Sequence, residues 1–187
     1  IGVEVRMNSP VDEIEVDDAG RATAVRVEGG ERIPCSFVVA NADPSAVYTR
    51  MIDAKHRRKH TDRSVARKRP SMSLFVAYFG ADRTYEDLAH HTIVLGPRYE
   101  GLLKDIFDKK VLADDFSLYL HAPTRSDPLM APAGHECFYV LSPVPNLRGD
   151  IDWKEEGPRY LDRIMQGLEK RVLPGLSKHK VSLDFVT

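Results

Sequence analysis

The sequence predicts an α+β fold, an antiparallel-rich mixed sheet covered by helices and preceded by a short β-meander. Three observations carry this. Two apolar runs without a charged residue, Phe116–Leu120 and Cys137–Leu141, read as strands buried on both faces. Several shorter segments alternate apolar and polar residues with the period of a half-buried strand. Two stretches instead repeat their apolar residues at helical spacing, on one side only, so they must pack against something flat.

The elements follow in order. In Gly2–Met7, Val3, Val5 and Met7 alternate with Glu4 and Arg6, a strand pattern. Val11, Ile14 and Val16 form a second strand that ends at the turn residues Asp17-Asp18-Ala19-Gly20, and Ala22–Val27 forms a third, turned by Gly29-Gly30. Pro34 cannot donate to a ladder, so it begins a strand over Cys35–Ala40. At Asn41-Ala42-Asp43-Pro44 a strand gives way to a helix: Asp43 can cap, Pro44 can occupy the first turn, and Val47, Tyr48 and Met51 supply a stripe. Lys55–Arg69 is strongly basic. Strands follow at Met72–Phe79 and Thr92–Leu95. Tyr99, Leu102, Leu103, Ile106 and Phe107 mark one face of a helix after Pro97. Beyond the two apolar runs, Leu161, Ile164, Met165, Leu168 and Val172 place a helix over Pro158–Val172, ended by Pro174-Gly175, and Val181–Val186 returns to strand.

Composition narrows the function. A net charge of -1 gives no global attraction to nucleic acid, and no aromatic residue is interleaved with the Lys55–Arg69 cluster to stack on bases, so no nucleic-acid partner is expected. Cys35 and Cys137, the only cysteines, are too few for a disulfide framework, so a cytoplasmic setting fits. No apolar run approaches the ~20 residues of a membrane-spanning helix. Ile1 already sits in strand-like text, as expected of an internal piece of a longer protein. No two glycines stand two apart, so the dinucleotide fingerprint G-x-G-x-x-G is missing, as are a P-loop and a nucleophile elbow.

Histidine spacing raises metal binding. His56 and His60 are four apart, but they lie among Lys and Arg and lack the glutamate of H-E-x-x-H; no metal site is expected there or elsewhere. His90, His91 and His121 read as hydrogen-bonded structural groups rather than proton shuttles. Asp114-Asp115 reads as a polar strand entry. No catalytic residue can be named.

Three segments carry a family resemblance: SMSLFVAYFG at Ser71–Gly80, LAHHTIVLGPRY at Leu88–Tyr99, and ADDFSLYLHAPTRSDPLMAPAGHECFYVLSPVPNL at Ala113–Leu147. This text resembles the bacterial-type phytoene desaturases, FAD-dependent carotenoid desaturases of the flavin amine-oxidase superfamily, over essentially the whole chain. The resemblance implies that residues 1–47 are a segment of an FAD-binding domain and residues 48–187 a substrate-binding domain whose sheet encloses a hydrophobic tunnel. It implies a carotenoid precursor, a phytoene-like polyene, as substrate, and hydride transfer to flavin as the reaction. The family's glycine-rich and C-terminal flavin segments have no counterpart here, so this chain is not expected to retain FAD.

The residue at the Val11 position meets the adenine through its backbone in related flavoenzymes, a core strand valine being the competing reading. Asn41 and Asp43 end a strand on the side where cofactors bind, or simply form a turn and cap. The apolar substrate leaves binding to aromatic walls, for which Phe75, Tyr78, Phe79, Phe116, Tyr119, Phe138 and Tyr139 are the candidates. Alternation along a strand allows only about half of them to face one cavity. The basic cluster Lys55–Arg69 suits peripheral attachment to the cytoplasmic membrane, where the substrate dissolves, or a solvated helix surface. The alternatives are a non-catalytic lipid-binding or interaction module on the same fold, and a related carotenoid isomerase or other isoprenoid oxidoreductase. The oligomeric state stays open.

Overall fold

The computed structural model describes residues 2–187. The chain divides between Arg69 and Pro70 into two compact units.

In the first unit, β1 (Val11–Val16), β2 (Ala22–Val27) and β3 (Arg32–Pro34) form an antiparallel meander in sequential order. Gly20, at φ +81°, closes the first turn by donating its N–H to the Asp17 carbonyl at 2.9 Å, a backbone shape that favours glycine. Ile14, Ala24 and Val27 are buried, while Arg26 bridges Glu13 and Glu15 at 3.1 and 2.5 Å along the meander.

Two expected strands are absent. Gly2–Met7 and Cys35–Ala40 form no strand, although the Cys35 N–H still bonds the Thr23 carbonyl of β2 at 3.0 Å, and several of their apolar residues are exposed, Phe37 at 89% and Val39 at 98%. Alternation selects a face, but a strand exists only when another strand satisfies its N–H and C=O groups, and the β2–β3 ladder ends at Pro34. Pro34 therefore closes a strand rather than opening one.

Asp43 caps the short helix α1 (Pro44–Ala46), its Oδ1 accepting from the N–H groups of Ser45 and Ala46 at 2.8 and 3.1 Å. The helix widens into a single π turn over Val47–Met51. The basic segment is broken rather than continuous: a 3₁₀ turn at Ala54–His56, then α2 (Asp62–Ala66). His56 and His60 consequently share no helix face, and His60 stacks on Tyr48 with ring centroids 3.9 Å apart.

The second unit contains one five-stranded sheet made from β4 (Ser73–Ala81), β5 (His91–Val94), β6 (Leu118–His121), β7 (Glu136–Val144) and β8 (Lys180–Val186), in the spatial order β5-β6-β7-β4-β8. Every pairing in it is antiparallel, so the expected mixture of strand directions is not found among the described residues. The expected α+β architecture is present: α3 (Tyr99–Lys104), running on through a π turn at Asp105–Lys109, the long α4 (Trp153–Arg171) and α5 (Leu176–His179) accompany the sheet.

Helix α4 begins five residues before the expected Pro158. Asp152 caps it by accepting from the Lys154 N–H at 2.9 Å, and Glu155 and Glu156 in the first turn suit the positive end of the helix dipole. Its stripe of Tyr160, Leu161, Ile164, Met165 and Leu168 forms one core with Phe75, Phe79, Phe138 and Val140 of the sheet. Two glycines let rings approach this helix closely. A Cβ on Gly157 would stand 2.9 Å from the Phe185 ring, and one on Gly167 would stand 3.0 Å from Phe116.

Candidate functional site

Strand alternation sorts the sheet into two unlike faces. In β7 every odd member of the run from Glu136 is buried and every even member is half-buried. The face under α4 takes Phe75, Ala77 and Phe79 from β4, Leu118 and Leu120 from β6, and Phe138, Val140 and Ser142 from β7. The opposite face carries Leu74, Tyr78 and Gly80, then Tyr119 and His121, then Cys137, Tyr139 and Leu141. Tyr78 is 51% exposed and Leu74 40%. The runs Phe116–Leu120 and Cys137–Leu141 are therefore buried on one side only.

A groove of about 520 Å³ lies along that opposite face, bordered by Tyr78, Tyr139, His121, Pro123, Met130 and Leu183 among others. Its size and its apolar, aromatic lining suit a hydrophobic ligand. Of three larger depressions, those of about 960 and 800 Å³ are edged by charged groups such as Lys109, Arg148 and Glu155 in the first and Arg83, Asp87 and Arg171 in the second, and they do not suit a hydrocarbon; the third, of about 720 Å³, lies in the first unit beside Arg21 and Phe37.

Of the seven aromatic residues expected to line a cavity, three stand on the half-open face. Tyr78 and Tyr139 are register partners with ring centroids 6.1 Å apart, and Tyr119 lies 5.7 Å from Tyr139. The other four pack into or against the core. Phe75 is fully enclosed between Tyr160 and Phe185. Phe79 and Phe138 edge the groove but are 3% exposed, their rings stacked on each other at 5.0 Å in the core. Phe116 sits outside any strand, edge-on to Tyr160 at 5.9 Å. The two-residue period of the strand puts the phenylalanines of β4 and β7 on the covered side, and Phe116 fills the gap that Gly167 leaves on α4.

Three histidines meet at one edge of this face. His91 and His121 are register partners across β5 and β6, and His90 precedes His91, its carbonyl accepting from the Ala122 N–H at 2.9 Å. The Nε2 atoms of His90 and His121 are 2.8 Å apart, Ser126 Oγ lies 2.7 Å from His90 Nδ1, and the Tyr119 hydroxyl lies 2.7 Å from His91 Nδ1. Burial, then repulsion from His90 and His91, holds the His121 imidazolium pKa below its ordinary value. Hydrogen bonding with Tyr119, then burial, pushes the Tyr139 phenol up. Nothing in the sequence joins His90 to His121, thirty-one residues later; only the β5–β6 register does so.

The loop beside the groove is held from below. Glu136, 3% exposed, accepts from the Tyr85 N–H at 3.0 Å and pairs with Arg125.

The positions expected to meet a cofactor are less built. Val11 opens β1 opposite Val27, Asn41 is exposed and outside any element, and both hydrogen bonds accepted by Asp43 are used in capping. A flavin dinucleotide's diphosphate needs free N–H groups at a helix N-terminus. The N-termini of α1 and α4 are instead filled by the carboxylates of Asp43 and Asp152, which repel an anion. Neither of these two helix N-termini fits that part of the cofactor.

The second unit is thus a fully antiparallel sheet, covered by a helix on one side and edged by an apolar groove on the other. The chain belongs to the flavin containing amine oxidoreductase family, whose model matches residues 1–142. It is 45% identical over 182 residues to a neurosporene-forming phytoene desaturase of Rhodobacter capsulatus, an alignment covering 95% of this chain and 35% of the relative. It is 44% identical over 190 residues to a lycopene-forming phytoene desaturase of Pseudescherichia vulneris, covering 100% and 38%. The chain thus spans about a third of the length of these curated relatives. In fold it resembles an oxidoreductase from Methanosarcina mazei, with a TM-score of 0.58 at 15% identity over 95% of this chain and 36% of that one. A Pyrococcus furiosus protein is similar at a TM-score of 0.55, 16% identity and the same coverage.

Proposed function

We propose that this chain forms the substrate-facing part of an FAD-dependent phytoene desaturase, which dehydrogenates a carotenoid precursor with flavin as the hydride acceptor. The observation that carries the reading is the asymmetry of the sheet. One face is sealed by α4, whereas the other keeps Tyr78, Tyr119 and Tyr139 beside an apolar groove. The likeness to phytoene desaturases supplies the substrate class. A polyene offers no polar group to grip, so flat tyrosine rings and Leu74, Leu141 and Met130 would hold it by contact area. FAD would be held mainly by sequence that the longer relatives have and this chain does not span, and the chain alone is expected to bind no flavin.

The test uses the complete protein that carries this chain, reconstituted with FAD and given phytoene in liposomes. Conversion to a coloured polyene is expected, with the apparent KM raised about tenfold, or about 1.4 kcal/mol, in Tyr139→Ala. A flavin-loaded protein that leaves phytoene unchanged sinks the desaturase reading. Turnover with an unchanged KM in both Tyr78→Ala and Tyr139→Ala removes this face as the binding wall.

We also propose peripheral attachment to the cytoplasmic membrane through the basic segment. No helix among the described residues is long and apolar enough to cross a membrane. Lys55, Arg58, Lys59, Arg63, Arg67, Lys68 and Arg69 are exposed, whereas Arg57 is buried and bound to Asp62 at 2.5 Å, so it would take no part. Each exposed cation near an anionic surface would contribute about 1 kcal/mol. Co-sedimentation with anionic but not neutral liposomes is expected; equal pelleting with the two rejects the attachment.

A further inference from the structure

We propose that His90, His91 and His121 bind one divalent transition-metal ion of the zinc type. The three side chains each offer a ring nitrogen, and these atoms lie within 4.8 Å of one another. Ligands of one tetrahedral ion stand about 2.0–2.1 Å from it, hence about 3.4 Å apart, so the cluster needs only small ring movements to close on a metal. The close pair makes the case stronger than proximity alone. Two imidazole Nε2 atoms at 2.8 Å cannot both present lone pairs to each other; a proton or a cation must lie between them. Among the described residues no carboxylate is hydrogen-bonded to any of the three rings, so one shared proton holds the His90–His121 contact without a metal, and an ion takes its place on binding. A metal ion satisfies both lone pairs and that of His91 at once.

The surroundings are those of a ligand set rather than of three solvated side chains. The backbone fixes all three positions: His91 and His121 face each other across a ladder, and the Ala122 N–H holds the His90 carbonyl. Ser126 Oγ is within hydrogen-bond reach of His90 Nδ1 at 2.7 Å, and by accepting a hydrogen bond from the Nδ1–H it leaves the Nε2 lone pair free for the ion, as the outer partner of a metal-bound histidine does. Nδ1 of His121 is enclosed and has no hydrogen-bond partner, so no such bond resists a small rotation of that ring toward the ion. Imidazole ligands select zinc, copper, nickel or cobalt over magnesium and calcium. Three protein ligands leave a fourth position open to water or another donor, and His121 borders the apolar groove, so the ion would stand at the groove's edge.

The test is titration of the tag-free 187-residue chain with Co²⁺, followed by its visible absorption, and competition by Zn²⁺. One tetrahedral Co²⁺ per chain, displaced by Zn²⁺, is expected. His121→Ala and His91→Ala should each weaken binding by at least tenfold, Ser126→Ala by about tenfold, and His56→Ala/His60→Ala should leave it unchanged. His91 is exposed, so its variant remains readable if His121→Ala fails to fold. No saturable Co²⁺ signal in the unaltered chain, or the same affinity in His91→Ala, overturns the proposal.

Discussion

Tyr78 and Tyr139 face each other across the β4–β7 ladder on the half-open side of the sheet, while the very next pair, Phe79 and Phe138, stacks at 5.0 Å inside the core. Two aromatic pairs one residue apart thus stand in opposite surroundings. Phe79→Ala or Phe138→Ala is expected to cost about 3–5 kcal/mol in urea unfolding, because each removes a buried ring and leaves a cavity. Tyr78→Ala should cost under about 1 kcal/mol, since its ring is half exposed. Equal losses at the two positions would show that the open face is in fact packed.

Sheet and helix are also joined by one polar contact in the core. Ser142 Oγ and the Tyr160 hydroxyl lie 2.6 Å apart, with Ser142 fully enclosed and Tyr160 only 2% exposed. Tyr160→Phe strands the serine hydroxyl and should lower stability by about 1–2 kcal/mol, and adding Ser142→Ala should cost less than the sum of the two single changes.

Tyr160 also sets an alkaline limit. Burial raises its phenol pKa above the ordinary 10.0, so the folded state holds the proton that the unfolded chain releases. This contribution is complete below pH 10 and is lost as pH rises through the folded value. Thermal melts against pH should therefore fall less steeply above pH 10 in Tyr160→Phe than in the unaltered chain.

At the acid end Asp105 acts in the reverse sense. Lys109 first, then Arg98, holds its carboxyl below the ordinary 3.8. The stability it gives is present above that value and declines as pH falls through the depressed one. Asp105→Asn should flatten the acid limb of the stability profile, and an unchanged slope below pH 4 would contradict this.

Glu136 is a carboxylate enclosed at the start of β7, 3% exposed. Arg125→Ala leaves its enclosed carboxylate without a cation and should cost about 3–5 kcal/mol, part of which Glu136→Gln in the same chain restores. A loss under 1 kcal/mol would mean that the loop carrying Arg125 rearranges to admit water.

Residue patterns by themselves determined the turns at Asp17–Gly20 and Gly29-Gly30, the cap at Asp43, the stripe of α4 and the strands of the second unit, because propensity, capping and periodicity act over a few neighbouring residues. The same local text misread Gly2–Met7 and Cys35–Ala40, since strand pairing depends on a partner elsewhere in the chain. It could not divide the seven aromatic residues between core and groove, because alternation says that neighbours point apart without saying which side α4 will cover. Tertiary structure alone decided that Tyr78, Tyr119 and Tyr139 share the half-open face and that His90 and His91 meet His121. Both outcomes are set by strand register, where a slip of one residue would exchange the two faces.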